Sequence, residues 1–231
     1  MFKYEMHLHS SMTSKCASSG SAEYVFAARE KGYSGIVFTN HFFRGNSAID
    51  KQLPWRDFTE QYRRDWLCAK EQGDKYGIDV LFGLEEGYGS GKECLIYGLS
   101  AEDIAECTDF PKMPIAEISA FVRSKGGFIA CAHPFRARDY IKDPFAEPDW
   151  SLFDGVEVYN AANLKEANIM AEDFAKKHGL IGISGGDTHS VGGFGRAGVI
   201  FKRRAKTEKE LVELLKENNF DLIRNKEADN F

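Results

Sequence analysis

Short apolar runs alternate with longer amphipathic stretches along almost the whole chain. The strand-like runs are residues 2–6, 36–38, 80–82, 95–97, 128–132, 156–158, 180–183 and 197–201, and helical periodicity covers residues 22–31, 55–76, 115–125 and 164–178. A last helix is expected after Thr207, which forms a capping-box pattern with Glu210 and precedes Leu211, Leu214 and Leu215. This alternation predicts an α/β fold with a mostly parallel sheet.

Glycines mark the expected ends of two helices. Gly32 and Gly179 directly follow helical stretches, in the position where a left-handed residue commonly ends a helix. The apolar side of the first helix is expected to include Ala22, Val25 and Phe26. With 231 residues, the chain is long for an ordinary domain but normal for a barrel of alternating strands and helices. We therefore expect residues 1–231 to form a single domain.

The composition argues against a membrane-spanning protein, a nucleic-acid-binding protein and a disulfide-rich secreted protein. Hydrophobic residues make up 43% and charged residues 28% of the chain, and no apolar run is long enough to span a membrane. A net charge of −5 argues against binding to a nucleic-acid backbone, which needs a basic face. The first residues resemble no signal peptide, and five cysteines without a CxxC pair fit reduced thiols. We therefore expect a cytoplasmic protein without a membrane partner.

Potential metal ligands follow most of the apolar runs. They are His7, His9, His41, Glu85, His133, Asp187 and His189, each expected at or just after the C-terminal end of a strand. In a parallel barrel these ends meet on one face, so residues distant in sequence converge there. Imidazole nitrogen and carboxylate oxygen are the usual ligands of zinc, manganese or iron, and one carboxylate can bridge two ions. The pattern predicts a metal site.

A single histidine after a strand is more often a hydrogen-bonded core residue than a ligand. The repetition of the same context in most of the histidines favours the metal site over that interpretation. His178 is the exception, because it lies on the apolar stripe of a helix just before Gly179. We interpret His178 as a packing or capping residue.

The motifs resemble those of the polymerase and histidinol phosphatase (PHP) superfamily. The matching segments are His7-Leu8-His9, Thr39-Asn40-His41, Gly83-Leu84-Glu85, Ala132-His133-Pro134 and Gly186-Asp187-Thr188-His189. The resemblance implies a distorted (β/α)7, TIM-like barrel with two or three divalent ions, and phosphoester hydrolysis as the commonest activity. By the same resemblance, His7, His9, Glu85 and Asp187 would hold a first ion. Glu85 would bridge to a second ion at His133, and His41 and His189 would serve a third.

The chain departs from the family pattern at two ligand positions. Where the family often has Asp or His after the HxH motif, this chain has Ser14, Lys15 and Cys16, which leaves the third position incomplete. Where the family often has a histidine after GxE, this chain has Glu93 and Cys94, either of which could complete the second position. Asn40 replaces the usual Asp, which is expected to alter a hydrogen bond behind the ligands. We expect two bound ions.

Arginines recur beside the candidate ligands. Phe42-Phe43-Arg44 follows His41, Phe135-Arg136 follows His133, and Phe194-Gly195-Arg196 lies just after His189. Arg136 and Arg196 are the best candidates for binding phosphate, and Lys15 is a further one, although surface ion pairs are an equal alternative for the arginines. The phenylalanines could flank a leaving group or simply pack under a loop.

Three functions remain open from the sequence. The leading hypothesis is a metal-dependent phosphoesterase acting on a small phosphomonoester or nucleotide through a metal-activated hydroxide, with Glu85, Asp187, Arg136 and Arg196 in the catalytic centre. The second is an amidohydrolase-like enzyme on a non-phosphate substrate, and the third is a noncatalytic metal-binding module. The near-complete ligand set argues against the third. The sequence does not specify the substrate, the native metal or the oligomeric state.

Overall fold

The computed structural model describes residues 1–225, which alternate strands and helices around one sheet. The strands are β1 (Phe2–Leu8), β2 (Gly35–Phe38), β3 (Asp79–Gly89), β4 (Lys92–Tyr97), β5 (Phe128–Cys131), β6 (Gly155–Asn160), β7 (Ile181–Gly185), β8 (Ala197–Phe201) and β9 (Asp221–Arg224). The helices are α1 (Ser21–Glu30), α2 (Trp55–Tyr76), α3 (Ala101–Glu106), α4 (Ile115–Ser124), α5 (Lys165–His178) and α6 (Glu208–Glu217). The predicted elements are therefore present, while α3 and β9 were not predicted.

The sheet order is β7-β6-β5-β4-β3-β2-β1-β8-β9, and the strand β1 lies where the sheet nearly closes into a barrel. Along its first half, β1 pairs antiparallel with β8, from Phe2 opposite Phe201 to Tyr4 opposite Val199. Near its C-terminal end, β1 pairs instead with the segment after β7. The His9 N–H donates to the Thr188 carbonyl at 2.8 Å, and Leu8 forms a parallel bridge with Thr188. The predicted barrel architecture is confirmed, and its closing hydrogen bonds come from the candidate site itself.

The expectation of a mostly parallel sheet is wrong. Parallel pairing joins β1 to β2, β2 to β3, β5 to β6 and β6 to β7. Antiparallel pairing joins β3 to β4, β4 to β5, β1 to β8 and β8 to β9. Two strands account for these pairs, because β4 runs against both β3 and β5, and β8 runs against both β1 and β9.

A tight hairpin turn connects β3 to β4. Gly89 pairs with Lys92, and the two turn residues between them have positive φ, 54° at Ser90 and 78° at Gly91. Two consecutive positive φ values are what a type I′ turn needs, and glycine adopts them without steric cost. Because β3 continues to this turn, Glu85 lies in the middle of a strand. The prediction that Glu85 follows a strand end is therefore wrong.

The helices bury one side against the sheet. α6 begins at Thr207, whose hydroxyl accepts from the Glu210 N–H, and it buries Leu211, Leu214 and Leu215 as predicted. In a capping box, the Glu210 carboxylate would accept in return from the Thr207 N–H. Here it accepts from the Lys206 N–H instead. α1 differs from expectation, because Phe26 is 44% exposed and packs on Tyr76 rather than in the core.

The core fills the barrel and its far end. Tyr97 and Phe128, which pair across β4 and β5 at the end opposite the candidate ligands, belong to the same buried cluster as the apolar residues of α6. Val212 of α6 lies against Gly98, just after β4, where an added Cβ would come within 2.4 Å of it. α6 therefore covers the far end, which leaves the other end open for a site. Within residues 1–225, no helix has the length and apolar character needed to cross a membrane.

Candidate metal centre

Strand β1 delivers the first two candidate ligands to the open end of the barrel. His7 is in the strand and His9 just beyond it, and both are fully buried. Their Nε2 atoms approach to 3.1 Å, with the ring centroids 5.1 Å apart. The close approach of two imidazole nitrogens indicates that both rings are aimed at a common point.

Glu85 lies at the centre of the cluster. Its Oε1 is 3.2 Å from His7 Nε2 and 3.0 Å from His133 Nε2, while its Oε2 is 3.5 Å from His9 Nε2 and 2.8 Å from His41 Nδ1. The carboxylate is fully buried. Each oxygen thus lies near two imidazoles, which places the carboxylate where two ions could share it.

The two carboxylate oxygens of Asp187 also have different partners. Oδ1 is 3.2 Å from His9 Nε2 and 3.5 Å from His7 Nε2, so it faces the histidines of β1. Oδ2 accepts from the Arg136 guanidinium and from Asn160 Nδ2 at 3.3 Å. The backbone of Asp187 has a φ of 48°, a left-handed conformation that aspartate and asparagine adopt more often than most other residues apart from glycine. The carboxylate therefore connects the ligand cluster to an arginine.

Of the two alternatives on β4, Glu93 faces the cluster and Cys94 does not. Glu93 Oε1 is 3.4 Å from His41 Nδ1, and its Oε2 is 3.7 Å from His133 Nε2. Cys94 is fully buried in the apolar core, with Sγ 3.5 Å from the Glu86 carbonyl. The alternation of side chains along a strand separates these neighbours onto opposite faces.

His41 and His189 lie on the other side of His9. Their ring centroids are 4.4 Å and 4.3 Å from that of His9, and His189 Nδ1 is 2.9 Å from its neighbour Asp187's carbonyl oxygen. Cys16 lines the same cavity as both histidines, and although burial acts to raise the pKa of its thiol, the influence of His189 and His41 lowers this pKa to about 6. The predicted ligand residues are thus brought together on one end of the barrel.

The donor set fits divalent ions. His41 Nδ1 and Glu85 Oε2 are 2.8 Å apart, yet neither atom has a partner in hydrogen-bond geometry, although both are buried. Ligand atoms gather within 4.8 Å of one another in four sets, which include His7 with His9 and Glu85, and His41 with Glu85 and Glu93. Buried polar atoms without hydrogen bonds are costly unless something else binds them, and a cation would do so.

Electrostatics keep the ligand carboxylates ionised. Burial acts to raise the pKa of Glu85, but the nearby His7 and His41 hold it well below its ordinary value. Likewise, His7 and Arg136 outweigh burial and hold the pKa of Asp187 well below its ordinary value. Both groups are therefore anionic near neutral pH, the form that binds cations.

Two buried glutamates behind the ligands were missed by sequence reasoning. Glu157 Oε1 is 2.9 Å from His7 Nδ1, and its Oε2 accepts from the His133 N–H at 3.0 Å. Glu5 Oε1 accepts the N–H groups of His7 and Gly186 at 3.1 and 2.7 Å, and burial raises the pKa of Glu5 to about 8. The available signal was an acidic residue inside an apolar strand, at Val156-Glu157-Val158 and in residues 2–6.

The segment after HxH supports the ligands through Ser14. Its hydroxyl is 3.2 Å from His9 Nδ1, 3.0 Å from Asn40 Oδ1, and accepts from the His41 N–H at 3.0 Å. Asn40 Oδ1 also accepts from the Ser10 N–H at 2.6 Å. The predicted effect of Asn40 on the hydrogen bonds behind the ligands is thus consistent with its position. Lys15 is exposed and lines neither cavity beside the cluster.

A cavity of about 670 Å³ opens from the cluster to solvent. The cationic residues along its wall are Arg44, Lys92, Arg136 and Arg138, joined by the half-exposed Tyr140, while its acidic lining residues Glu93 and Asp187 belong to the ligand cluster. Arg136 is fixed by Asn163 Oδ1 at 2.8 Å and Asn160 Oδ1 at 3.2 Å, in addition to Asp187. The cavity therefore presents positive charge to a ligand.

The other arginines differ in their surroundings. The Arg44 guanidinium already has hydrogen-bond partners within the protein. Its Nε donates to the Glu86 carboxylate at 2.6 Å, and its Nη1 donates to the Met113 carbonyl at 2.8 Å. Arg196 is exposed and lines a smaller cavity of about 230 Å³ together with Asp187 and His189. Of the phenylalanines named with the arginines, Phe42, Phe135 and Phe194 are buried in the core, and Phe43 is partly buried against it.

His178 is separate from the cluster, as predicted. It is the last residue of α5, followed by Gly179 with a φ of 67°. Its ring stacks on Trp150 with centroids 5.3 Å apart and lies 4.8 Å from the ring of Phe174. These contacts are those of a packing residue.

Comparison with known proteins agrees with the geometry. A family model described as PHP-associated matches residues 165–220, which include Asp187 and His189. Together with the fold, this match confirms the resemblance to the PHP superfamily that the motifs predict. Among proteins with curated functions, none matches the chain in sequence.

Several solved structures share the fold. A two-domain protein from Bacteroides vulgatus, in which a PHP-like metal-dependent phosphoesterase is predicted, aligns with a TM-score of 0.70 and 17% identity. The alignment covers 97% of this chain and 65% of that protein, so this chain spans about two thirds of that relative's length. A protein from Bifidobacterium adolescentis, whose assignment as a metal-dependent phosphoesterase is likewise an inference, aligns with a TM-score of 0.59 and 17% identity. This alignment covers 92% of this chain and 95% of that protein.

An amidohydrolase from Chromobacterium violaceum, solved with bound sulfate and no metal, has a similar fold. Its TM-score is 0.59 at 14% identity, over 98% of this chain and 99% of the other. At these identities the likenesses concern the fold. The chemistry must be argued from the site.

Proposed function

We propose that this protein is a metal-dependent phosphoesterase that hydrolyses a small phosphorylated substrate. The observation that carries the proposal is the position of Arg136, which is hydrogen-bonded to the candidate ligand Asp187 and lines the cationic cavity. A substrate oxygen placed at the metal centre would thus meet a fixed guanidinium. The fork geometry of arginine matches phosphate oxygens.

In this proposal, His7, His9 and Asp187 would hold one divalent ion and His133 and Glu93 a second, with Glu85 shared between them. By the resemblance to the PHP superfamily, Glu93 would take the position that often holds a histidine. Divalent ions bound there would lower the pKa of a water molecule and offset charge on the oxygens of the phosphoryl group. Zinc, manganese and iron all suit the mixed imidazole and carboxylate set.

The chain's own residues would position the substrate. Arg136 is held by two asparagines and one aspartate, so it needs little reorganisation when charge develops on the phosphoryl group. Arg138, Lys92 and Tyr140 line the outer cavity, where the remainder of the substrate would lie. Arg196, in the neighbouring cavity, is a second candidate for contacting the released phosphate.

An amidohydrolase-like reaction is the second candidate, favoured by the fold shared with the Chromobacterium violaceum amidohydrolase. The same metal centre could act on a carboxamide or lactone. The cationic wall of the cavity favours the phosphoesterase, since a neutral amide would gain little from it.

The test compares aryl phosphates with carboxamides and lactones, using metal-loaded protein and its Glu85→Gln variant. We expect phosphate release from the aryl esters, and loss of activity in Glu85→Gln because the shared negative charge is removed. His178→Ala, distant from the cluster, is the control and should retain most of the activity. Hydrolysis of amides or lactones alone, with the same dependence on Glu85, would identify the second candidate instead.

A further inference from the structure

A buried carboxylate of the long helix α2 lies behind the ligand cluster. Asp65 is fully buried, and its Oδ2 accepts from the hydroxyls of Ser10 and Thr13, the latter at 2.6 Å. The same oxygen also accepts from Asn40 Nδ2 at 3.4 Å. One carboxylate oxygen thus gathers donors from the segments that follow β1 and β2.

The helix holds Asp65 at a fixed place beside these segments. Tyr62 precedes it by three residues and so lies on the same side of α2. The Tyr62 hydroxyl donates to the Asn40 carbonyl at 2.8 Å and lies 3.1 Å from the Gly83 carbonyl oxygen. The Ser21 hydroxyl donates to the backbone carbonyl of Asp65 at 3.1 Å. Two side chains of one helix face therefore hold the residue that precedes His41.

The hydrogen bonds between Asp65 and His9 run in one direction. Because Asn40 Nδ2 faces Asp65, Asn40 Oδ1 faces the other way. It accepts from the Ser10 N–H at 2.6 Å and from the Ser14 hydroxyl at 3.0 Å. A hydroxyl has a single proton, so Ser14, which donates its proton to Asn40, must accept from His9 Nδ1, 3.2 Å away. His9 Nδ1 therefore carries the proton.

This arrangement leaves the lone pair of His9 on Nε2, the nitrogen that faces the ligand cluster. Nε2 is 3.2 Å from Asp187 Oδ1 and 3.1 Å from His7 Nε2. The hydrogen bond made by one ring nitrogen decides whether the other is free to bind a metal. A hydroxyl can donate as well as accept, so Ser14 fixes the proton of His9 only if its own direction is fixed.

We propose that Asp65 is a positioning residue, which acts through Asn40 and Ser14 to keep the proton of His9 on Nδ1 and its Nε2 lone pair toward the metal centre. A carboxylate only accepts hydrogen bonds, so it sets the direction of the whole series from its far end. The inference rests on the proposed metal centre but not on the reaction assigned to it.

NMR of the chelated protein, labelled with nitrogen-15 histidine, tests this inference without metal or activity. In a neutral ring, the protonated nitrogen resonates far upfield of the other. Burial and the nearby His41 lower the pKa of His9 to about 3, so the ring is neutral near neutral pH. We expect the proton on Nδ1 in the wild type, with the signals assigned by their loss in His9→Gln. Asp65→Leu should show both tautomers. A wild-type proton on Nε2, or an unchanged tautomer in Asp65→Leu, would overturn the inference.

A double-mutant cycle on zinc affinity tests the route through Ser14. Asp65→Leu removes the acceptor but keeps a side chain of similar size. It and Ser14→Ala should each weaken binding by about 10-fold, the lower end of the usual effect of losing a partner behind a ligating histidine. Because both act on the same bond to His9, the double variant should also lose about 10-fold, whereas independent effects would give about 100-fold. Independent effects would contradict the route. Competition with a chromogenic chelator measures the affinities.

Two further variants separate positioning from general stability. Asp65→Asn keeps a carbonyl oxygen that can accept from the same three donors, so it should retain the His9 tautomer and most of the zinc affinity. Ser119→Ala removes a buried hydroxyl of α4 that donates to the Leu152 carbonyl at 2.7 Å, and it should lower Tm but not the affinity. An equal loss of affinity in Ser119→Ala would overturn the positioning role. Failure of the wild type to bind zinc would instead overturn the metal centre, and with it the target of the His9 lone pair.

Discussion

At the scale of single residues, Glu157 orients two candidate ligands at once. One oxygen lies 2.9 Å from His7 Nδ1, and the other accepts the His133 N–H at 3.0 Å. The first contact determines which nitrogen of His7 faces the metal centre and makes that nitrogen more basic. Because Glu157 is fully buried, water cannot replace its contacts.

Replacing Glu157 with glutamine should therefore weaken metal binding while leaving the ligands themselves in place. We expect the affinity to fall by about 10- to 100-fold, the usual effect of removing a partner of a ligating histidine. Competition with a chromogenic chelator would measure it. Glu172→Gln, an acidic residue on α5 whose partners are Lys176 and Arg224, is the control. Equal affinities of the Glu157→Gln and wild-type proteins would contradict the orienting role.

Sequence reasoning identified residues in short local motifs more readily than acidic residues inside strands. His7, His9 and Asp187 belong to short local motifs directly after apolar runs, so their spacing alone indicates their chemistry. Glu157 and Glu93 occupy ordinary strand positions. Their importance arises from which face of the strand they occupy and from what lies across the barrel, and both depend on long-range pairing.

At the scale of elements, the hairpin of β3 and β4 was the main feature that local patterns did not predict. The apolar run at residues 80–82 ends in a glycine-rich stretch, which has low intrinsic strand propensity. The stretch is nevertheless a strand because β4 pairs with it along its length. The parallel strands were predictable since each is a continuous apolar run between helices.

The turn of this hairpin gives a prediction about Gly91. A Cβ at Gly91 would come within 2.9 Å of the Tyr140 carbonyl oxygen, at a φ of 78°. Gly77, the residue after α2, has a similar φ of 74° but nothing within 4 Å of such a Cβ. Gly77→Ala should therefore cost roughly 1–2 kcal/mol of unfolding free energy, from backbone strain alone.

Gly91→Ala should cost about 1–3 kcal/mol more than Gly77→Ala, because the turn or the Tyr140 segment must also move. Urea denaturation of both variants would measure the difference. The Tyr140 segment forms part of the cavity wall, so a change in Michaelis constant is expected in Gly91→Ala only. Equal losses in the two variants would show that the Tyr140 contact is unimportant for stability.

At the scale of the whole molecule, the end of the barrel that carries the site concentrates buried charge. Glu85, Asp187 and Glu157 are buried together with His7 and His9. In the absence of ions, imidazolium must balance these carboxylates, and the pKa of His7 is raised for this reason by Glu157, Asp187 and Glu85 despite burial, which acts to lower it. Bound cations would balance the same charge without the need to hold protons.

Metal binding should therefore stabilise the whole fold, because the segment after β7 that carries Asp187 also closes the barrel against β1. At a free ion concentration about 100 times the dissociation constant, binding to the folded state alone adds about 2.7 kcal/mol. For a chain of this size, that amount raises Tm by roughly 5–11 °C. Scanning calorimetry of chelated and metal-loaded protein at one pH would measure the shift.

The Glu85→Gln variant provides the control for that experiment, since it keeps the shape of the shared ligand but removes its charge. Its metal-free form should unfold cooperatively, and added zinc or manganese should raise its Tm by much less than in the wild type. His178→Ala, on the helix α5 away from the ligands, should keep the full metal-induced shift. A wild-type Tm that does not respond to metal would show that the cluster is balanced by protons alone, and the proposed centre would then fail.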